Sequence, residues 1–212
     1  MVDANPLPEV SGEVVMVKYN AGNVRSVTCA LNRLGVEPVL TDDPERIRSA
    51  DRVIFPGVGE ASSAMNYLRK TGLDVVLKTL TQPFLGICLG MQLMCEWSQE
   101  NDTECLGIFN EKVLLFPLEL KVPHMGWNNL SGIKSPLLSG VTSDDYFYFV
   151  HSFYAAKGAE TIASCDYIHE FSAALQNGNY YGLQFHPEKS SKAGEKILRN
   201  FLGMKPVLRE NL

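Results

Sequence analysis

One cysteine lies in a sequence pattern that can make its thiol a nucleophile. Cys88 has glycine two positions away on each side, Gly86 and Gly90, and it follows the apolar segment 84–87. This Gly-x-Cys-x-Gly pattern is typical of a strand that turns sharply into a helix, with the cysteine at the corner. A helix starting at Leu89 would aim its free amide groups at the sulfur, which favours a thiolate. Buried free cysteines are common in apolar strands, so further support has to come from elsewhere in the chain.

A histidine and a glutamate two positions apart give that support. His186 and Glu188 follow an apolar run that ends at Phe185, and residues i and i+2 of an extended chain point the same way. Glu188 can therefore bind one imidazole nitrogen, which leaves the other to take a proton from Cys88. Taken singly, His186 could be a surface histidine at a strand end, and Glu188 an acid at a helix N-terminus. Together with Cys88, they predict a nucleophile, a base and an orienting carboxylate.

Composition excludes several classes of protein. The 212 residues are 45% hydrophobic, and we predict a loose tail at 1–12 followed by one domain over 13–212. A net charge of -5 without Lys/Arg clusters argues against nucleic-acid or membrane partners. Five cysteines without CxxC spacing fit a cytoplasmic protein, and no apolar run is long enough to span a membrane. His124 and His169 lack metal-ligand spacing to any cysteine, so we expect no metal and no cofactor.

The first half of the chain alternates short apolar runs with helical periodicity. Right-handed βαβ units of this kind form an α/β fold with a doubly wound, mainly parallel sheet, whose site lies at the carboxyl ends of the strands. The candidate strands are 14–17, 38–40, 53–55 and 84–87. The intervening helices have apolar faces formed by Val24, Val27, Leu31 and Leu34, and by Ala61, Ala64, Met65 and Leu68.

After about residue 106, short apolar runs follow one another with short turns between them. Asn177 and Gly178 form a strong hairpin signal. We expect antiparallel strands that continue the sheet, and a final helix that buries Ala193, Ile197 and Phe201. The candidate strands are 113–116, 146–150, 162–164, 171–176 and 180–185.

Six segments spread over residues 13–202 make the chain resemble the class I glutamine amidotransferases, whose fold is flavodoxin-like. The segments are 22–27, 55–59, 86–93, 123–128, 148–152 and 182–190. Those around Cys88 and His186 are similar to the whole class. His-Met-Gly-Trp-Asn at 124–128 and Phe-Val-His-Ser at 149–152 resemble its histidine-biosynthetic branch, the glutaminase subunits of imidazole glycerol phosphate synthases.

The resemblance implies that Cys88, His186 and Glu188 hydrolyse glutamine to glutamate and ammonia. It also implies a heterodimer in which the ammonia passes to a cyclase subunit, which is a (β/α)₈ barrel. Three rival functions stay open: the glutaminase subunit of another synthase, an independent cysteine hydrolase of the same fold, and a docking subunit with a relic site.

Other residues are assigned mainly by the resemblance. An oxyanion needs a second backbone donor beside the amide of Leu89, and the segment Gly57, Val58 and Gly59 can expose one, although it could be a plain turn. Because Gly57 accepts either sign of φ, the peptide that joins it to Val58 could rotate and so keep the isolated chain nearly inactive.

Four further residues match positions that hold the substrate, and three match positions that dock the partner. The substrate residues are Gln92, His151, Ser152 and Phe153, and the interface residues are Trp127, Tyr148 and Lys189. The alternatives are that Gln92 is a solvated helix residue and that His151 is a structural histidine with satisfied hydrogen bonds.

Overall fold

A computed structural model of the chain describes residues 12–20 and 22–205, so the predicted tail lies outside the described residues apart from Gly12. The helices are α1 (Val24–Arg33), α2 (Pro44–Ser49), α3 (Ala61–Thr71), α4 (Leu73–Lys78), α5 (Leu89–Met94) and α6 (Ser191–Gly203). The first-half strands are β1 (Val14–Val17), β2 (Val39–Thr41), β3 (Arg52–Gly57), β4 (Phe84–Cys88), β5 (Trp97–Ser98) and β6 (Thr103–Glu104). The remaining strands are β7 (Lys112–Leu115), β8 (His124–Asn129), β9 (Tyr146–His151), β10 (Phe153–Ala155), β11 (Thr161–Tyr167), β12 (His169–Asn177) and β13 (Tyr180–Leu183).

The main sheet has eleven strands within the described residues, in the order β2-β1-β3-β4-β13-β12-β10-β7-β5-β6, with β11 paired to β12. The five strands β2, β1, β3, β4 and β13 are mutually parallel. Beyond β13 the sheet continues through antiparallel pairs, except that β5 is parallel to β7. The α/β fold with a mainly parallel, doubly wound sheet and an antiparallel extension is therefore confirmed. Cys88 is the last residue of β4, at the carboxyl edge of the sheet.

Side chains of the parallel strands divide between two apolar cores, one on each face. In β1, Val14 and Met16 belong to one core, whereas Val15 and Val17 belong to the other. Helices α1 and α6 cover the first core and helices α2 to α5 cover the second. The predicted burial of Ala193, Ile197 and Phe201 in α6, and of the apolar face of α3, is confirmed.

Each of the nine candidate strands coincides with an observed strand, but two expectations for the second half were wrong. Strand β13 is parallel to β4, with Tyr180 opposite Phe84, and it is antiparallel only to β12. Strand β9 pairs with β8 in a separate two-stranded sheet. Its buried residues Phe147 and Phe149 pack on the core of the main sheet, so this strand covers the sheet instead of extending it.

Four strands were not predicted, namely β5, β6, β8 and β10. Three of them are only two or three residues long, and β8 contains Gly126, Asn128 and Asn129, which have low strand propensity. None of the helices within residues 12–20 and 22–205 is long and apolar enough to cross a membrane.

Candidate active site

The chain turns sharply from β4 into α5 at Cys88, whose backbone has φ 53° and ψ −110°. L-residues rarely adopt this conformation, and such strain is typical of a nucleophile held at the top of a sheet. The flanking glycines are required because a Cβ at Gly90 would overlap the carbonyl oxygen of Phe55, and a Cβ at Gly86 would lie within 2.9 Å of the backbone of Gly90 and Met91. The predicted strand-to-helix turn is confirmed, and α5 begins directly at Leu89.

His186 and Glu188 reach the same edge because β13 runs parallel to β4, with Leu183 opposite Ile87. His186 Nδ1 lies 2.8 Å from Glu188 Oε1, and both side chains are fully buried. Since the carboxylate can only accept, Nδ1 carries a proton, and Nε2 is left to exchange a second proton with Cys88. Among the described residues, Nε2 has no hydrogen-bond partner.

Two opposing effects determine the pKa values of His186 and Glu188: burial disfavours the charged forms, whereas neighbouring charges and hydrogen bonds favour them. Burial lowers the pKa of His186, but its interactions with Cys88 and Glu188 outweigh burial and raise the pKa above its ordinary value. Burial raises the pKa of Glu188, and the bond from His186, aided by Asn23, outweighs it and lowers the pKa. The site therefore favours an imidazolium between a carboxylate and the sulfur.

Asn23 is a fourth member of this cluster that sequence reasoning missed. Its Nδ2 donates to Glu188 Oε1 over 2.6 Å and lies 3.3 Å from His186 Nδ1. The backbone of Asn23 is left-handed, with φ 71°, a conformation that asparagine tolerates better than most residues. Its place in the segment 22–27 that resembles the family was the only available signal.

Backbone contacts fix the histidine from the side of β9. The N–H of His186 donates to the Tyr148 carbonyl over 2.9 Å, and the N–H of Tyr148 donates to Ser190 Oγ over 3.0 Å. Ser190 Oγ in turn donates to the His186 carbonyl over 2.6 Å. These bonds hold the imidazole in register with the end of β4.

A cleft of about 270 Å³ opens beside Cys88. This volume is small for a ligand pocket, so the cleft suits a molecule the size of an amino acid. All four predicted substrate residues line the cleft, together with Val58, Gly59 and Leu89. Glu100, which sequence reasoning missed, also lines it, and burial raises the pKa of its carboxyl.

Gln92 is buried at the base of the cleft, so the alternative of a solvated helix residue does not describe it. Its Nε2 donates to the Phe153 carbonyl over 2.8 Å and to Gln184 Oε1 over 2.9 Å. Gln184 Nε2 lies 3.9 Å from Cys88 Sγ. Both protons of the Gln92 amide are used within the protein, which leaves its oxygen for a ligand.

His151 uses both ring nitrogens within the protein. Its Nδ1 lies 2.8 Å from the Phe153 carbonyl, and its Nε2 lies 3.0 Å from His124 Nδ1. Burial lowers the pKa of His151 to about 3 and that of His124 to about 4, so both rings are neutral. The geometry matches the alternative in which the His151 side chain is satisfied structurally, even though the residue lines the cleft.

The segment proposed for the oxyanion hole faces Leu89 with a carbonyl. Val53 donates its N–H to the Pro83 carbonyl, so alternate residues of β3 turn their backbone groups towards β4. The register pairs Gly57 with Cys88, which sets the Gly57 carbonyl opposite the amide of Leu89. The carbonyl of the next residue, Val58, accepts from the N–H of Gly22 over 3.3 Å.

The three predicted interface residues form one patch at the mouth of the site. The Trp127 and Tyr148 rings lie 6.0 Å apart, edge to face, and Lys189 Nζ lies 5.7 Å from the centre of the Tyr148 ring. Trp127 is 54% exposed, which is unusual for so large an apolar side chain.

Within the part of the chain that the structure describes, no three His, Cys, Asp or Glu residues are arranged to hold a metal ion.

Comparison with known proteins identifies the class. The family model for class-I glutamine amidotransferases matches residues 15–204, so the chain belongs to this family. One solved glutamine amidotransferase has the same fold, with a TM-score of 0.70 and 20% identity over 89% of this chain and 96% of that one. PurLQS from Thermotoga maritima gives a TM-score of 0.65 and 18% identity over 90% of this chain and 97% of that one.

Sequence relatives define the particular branch. The imidazole glycerol phosphate synthase subunit HisH of Bacteroides thetaiotaomicron is 57% identical over 195 residues, which are 91% of this chain and 100% of that protein. The HisH subunit of Vibrio vulnificus strain CMCP6 is 47% identical over 198 residues, 90% of this chain and 97% of the relative. Within the amidotransferase family, the chain belongs with the HisH subunits, which confirms the resemblance seen in the sequence.

Proposed function

We propose that this chain is the glutaminase subunit of an imidazole glycerol phosphate synthase. It hydrolyses glutamine to glutamate and ammonia and passes the ammonia to a cyclase subunit in histidine biosynthesis. One observation carries the proposal: the buried pair of His186 and Glu188 stands beside Cys88 at an amino-acid-sized cleft, in a chain that matches HisH subunits over nine-tenths of its length.

In the first half of the reaction, Cys88 attacks the side-chain carboxamide of glutamine. The thiol proton passes to His186 Nε2, and the imidazolium that forms is stabilised by Glu188. His186 then gives this proton to the departing amine, so ammonia leaves and a glutamyl thioester remains on Cys88.

In the second half, His186 Nε2 takes a proton from a water molecule that attacks the thioester carbonyl. The carbon–sulfur bond breaks, glutamate leaves, and the sulfur returns to its starting state. Gln92, with its amide oxygen free for a ligand, holds the amino-acid end of the substrate together with the backbone of Ser152 and Phe153. The carboxylate of Glu100 lies at the same cleft and suits the substrate ammonium group.

Both tetrahedral intermediates require donors to the oxyanion. We assign the amide of Leu89 and an amide of the segment Gly57, Val58 and Gly59 to this role. The Gly57 carbonyl stands opposite the Leu89 amide in this structure, so the peptide that joins Gly57 to Val58 must rotate before the hole is complete. One missing donor lowers the rate by about 10² to 10³.

The partner is a cyclase subunit with a (β/α)₈ barrel, and the working unit is a cytoplasmic heterodimer. The exposed patch of Trp127, Tyr148 and Lys189 borders His186 and suits a docking surface at the exit for ammonia. Aromatic and cationic residues of this kind are common at protein interfaces. Neither subunit needs to release ammonia to solvent if the barrel covers this mouth.

A reconstitution experiment tests the proposal. The chain is mixed with its cyclase subunit and the nucleotide substrate, and imidazole glycerol phosphate is measured with glutamine or with ammonium salts as the nitrogen source. We expect glutamine to support synthesis only when this chain is present. Full glutamine hydrolysis by the isolated chain would favour an independent hydrolase, and a chain that binds the cyclase without any hydrolysis would favour a docking subunit with a relic site.

A further inference from the structure

A buried hydroxyl without a partner lies directly behind the proposed oxyanion segment. Tyr19 follows β1 and is only 6% exposed, and its ring packs against Phe55 at a centroid distance of 4.8 Å. Among the described residues, its hydroxyl oxygen has no hydrogen-bond partner and is shielded from solvent. Such an arrangement is unfavourable, because a buried hydroxyl normally finds a partner.

The Tyr19 hydroxyl lies directly against Gly57. A Cβ added at Gly57 would overlap the Tyr19 hydroxyl oxygen, so the hydroxyl occupies the face of β3 where a side chain at this position would lie. Gly57 is paired with Cys88 across the sheet. Burial, followed by the nearby Cys88, raises the pKa of Tyr19, so the group is a neutral hydroxyl that can donate a proton.

The Gly57 carbonyl points along the sheet towards Leu89, and not at the Tyr19 face. When the peptide joining Gly57 to Val58 rotates to free the Leu89 amide, the carbonyl oxygen leaves the sheet plane. Rotation in one of its two senses carries the oxygen to the face that the Tyr19 hydroxyl occupies. A backbone carbonyl moved into this buried region also needs a donor.

We propose that Tyr19 is a positioning residue for the oxyanion hole: its hydroxyl donates to the Gly57 carbonyl when the peptide rotates, and so stabilises the competent conformation. This bond gives the Tyr19 hydroxyl the partner that it lacks in the resting conformation, and it gives the rotated Gly57 carbonyl a donor in place of the Leu89 amide. The resting state keeps the hydroxyl without a partner, and the rotated state gains the bond, so the hydroxyl shifts the balance between them. This inference rests on the proposed glutaminase function.

Tyr19→Phe tests the inference because it keeps the ring on Phe55 and removes only the oxygen. The complex of this variant with the cyclase subunit is assayed for glutamine turnover with and without the nucleotide substrate. We expect the stimulated kcat to fall roughly tenfold, the loss of one hydrogen bond that favours the rotated state, with KM for glutamine unchanged. The unstimulated rate should fall as well, because the bond favours the rotated conformation with or without the nucleotide.

Tyr180→Phe is the matched control, because its buried hydroxyl bonds to the carbonyls of Leu77 and Leu80, away from the cleft. We expect this control to lower Tm and keep both rates, whereas Tyr19→Phe should keep or raise Tm and lower both rates. Wild-type rates in Tyr19→Phe would overturn the inference, as would equal losses of rate in Tyr19→Phe and Tyr180→Phe. A shift in the pH profile of glutamine turnover, both with and without the nucleotide, would mean that the hydroxyl acts on Cys88 instead. That result would also overturn the inference.

Different results would contradict the proposed function and the role of Tyr19. A wild-type complex that does not hydrolyse glutamine would remove the proposed function itself. A wild-type complex that hydrolyses glutamine normally, beside a Tyr19→Phe complex that hydrolyses it at the same rate, would remove only the role of Tyr19.

Discussion

Asn23 and Glu188 stand 165 positions apart, yet the amide of Asn23 donates to Glu188 Oε1 over 2.6 Å. This bond holds the same carboxylate oxygen that faces His186 Nδ1. Asn23, in the first loop of the chain, thus helps to orient the proposed base His186. The Asn23 side chain itself contacts neither the Cys88 sulfur nor the cleft.

We expect Asn23→Ala to lower kcat for glutamine roughly tenfold, as the loss of a hydrogen bond to a buried carboxylate would. KM should be unchanged because Asn23 does not line the cleft. Steady-state kinetics of the complex give both parameters. Asn32→Ala, on the exposed side of α1, serves as the control. Equal losses in the two variants, or a rise in KM alone, would contradict this role.

Cys88→Ala should abolish glutamine hydrolysis while the fold and binding of the cyclase subunit persist. The sulfur is the proposed nucleophile, and its removal changes few contacts in the core. Synthesis from ammonium salts should continue in the complex, since that route bypasses Cys88. Cys29→Ala, at an exposed cysteine of α1, is the control and should keep full activity. An intact-mass measurement after treatment with a glutamine-like chloroketone should find the adduct in the control and not in Cys88→Ala.

The two residues behind Cys88 should differ in the size of their effects. His186→Ala should behave nearly like Cys88→Ala because it removes the group that moves each proton. Glu188→Gln should lose less, since the residue orients the base without touching the substrate. Single-turnover measurements of ammonia release would separate the two. A Glu188→Gln variant less active than His186→Ala would mean that the carboxylate has a direct chemical role.

Local sequence patterns predicted the fold and singled out Cys88, His186 and Glu188 as the proposed triad, because both depend on short segments. A strand ending in Gly-x-Cys-x-Gly and a His-x-Glu at a strand end are visible without any tertiary information. The parallel direction of β13 was missed, because a short apolar run does not encode its partner. Asn23, Gln184 and Glu100 were also missed, since their roles arise from contacts between residues far apart in sequence. The lone hydroxyl of Tyr19 became visible only with the packing around Gly57.

Lys189→Glu should weaken association with the cyclase subunit more than it slows glutamine chemistry. Its side chain is exposed beside the Tyr148 ring, outside the triad, and a reversed charge at a docking surface mainly affects binding. Calorimetric titration with the cyclase subunit measures the effect. Lys78→Glu, at the end of α4, is the control, because Lys78 lies near the Asn177 hairpin turn at the other edge of the sheet. Unchanged affinity for Lys189→Glu would leave this residue as an ordinary surface lysine.

The paired histidines His124 and His151 predict how stability depends on pH. Their pKa values in the folded chain are about 4 and about 3, against an ordinary value of 6.5, because burial disfavours the charged rings. Folded-state values below the unfolded value mean that the contribution to stability is present above pH 6.5 and is lost as pH falls towards 4 and 3. Over that window, the unfolded chain binds protons that the folded chain excludes.

His124→Phe should flatten this pH dependence. Phenylalanine can keep the stacking that His124 makes with Phe149 and Tyr167, and it does not titrate. Between pH 6 and 4, we expect the slope of the unfolding free energy to decrease by up to about 1.4 kcal/mol per pH unit, the effect of one proton. The variant should be less stable than the wild type at pH 7.5, because His151 Nε2 loses its donor. Denaturant titrations at a series of pH values test this. Parallel curves for the two proteins would contradict it, because they would mean that His124 takes up its proton at the same pH in the folded and unfolded chains.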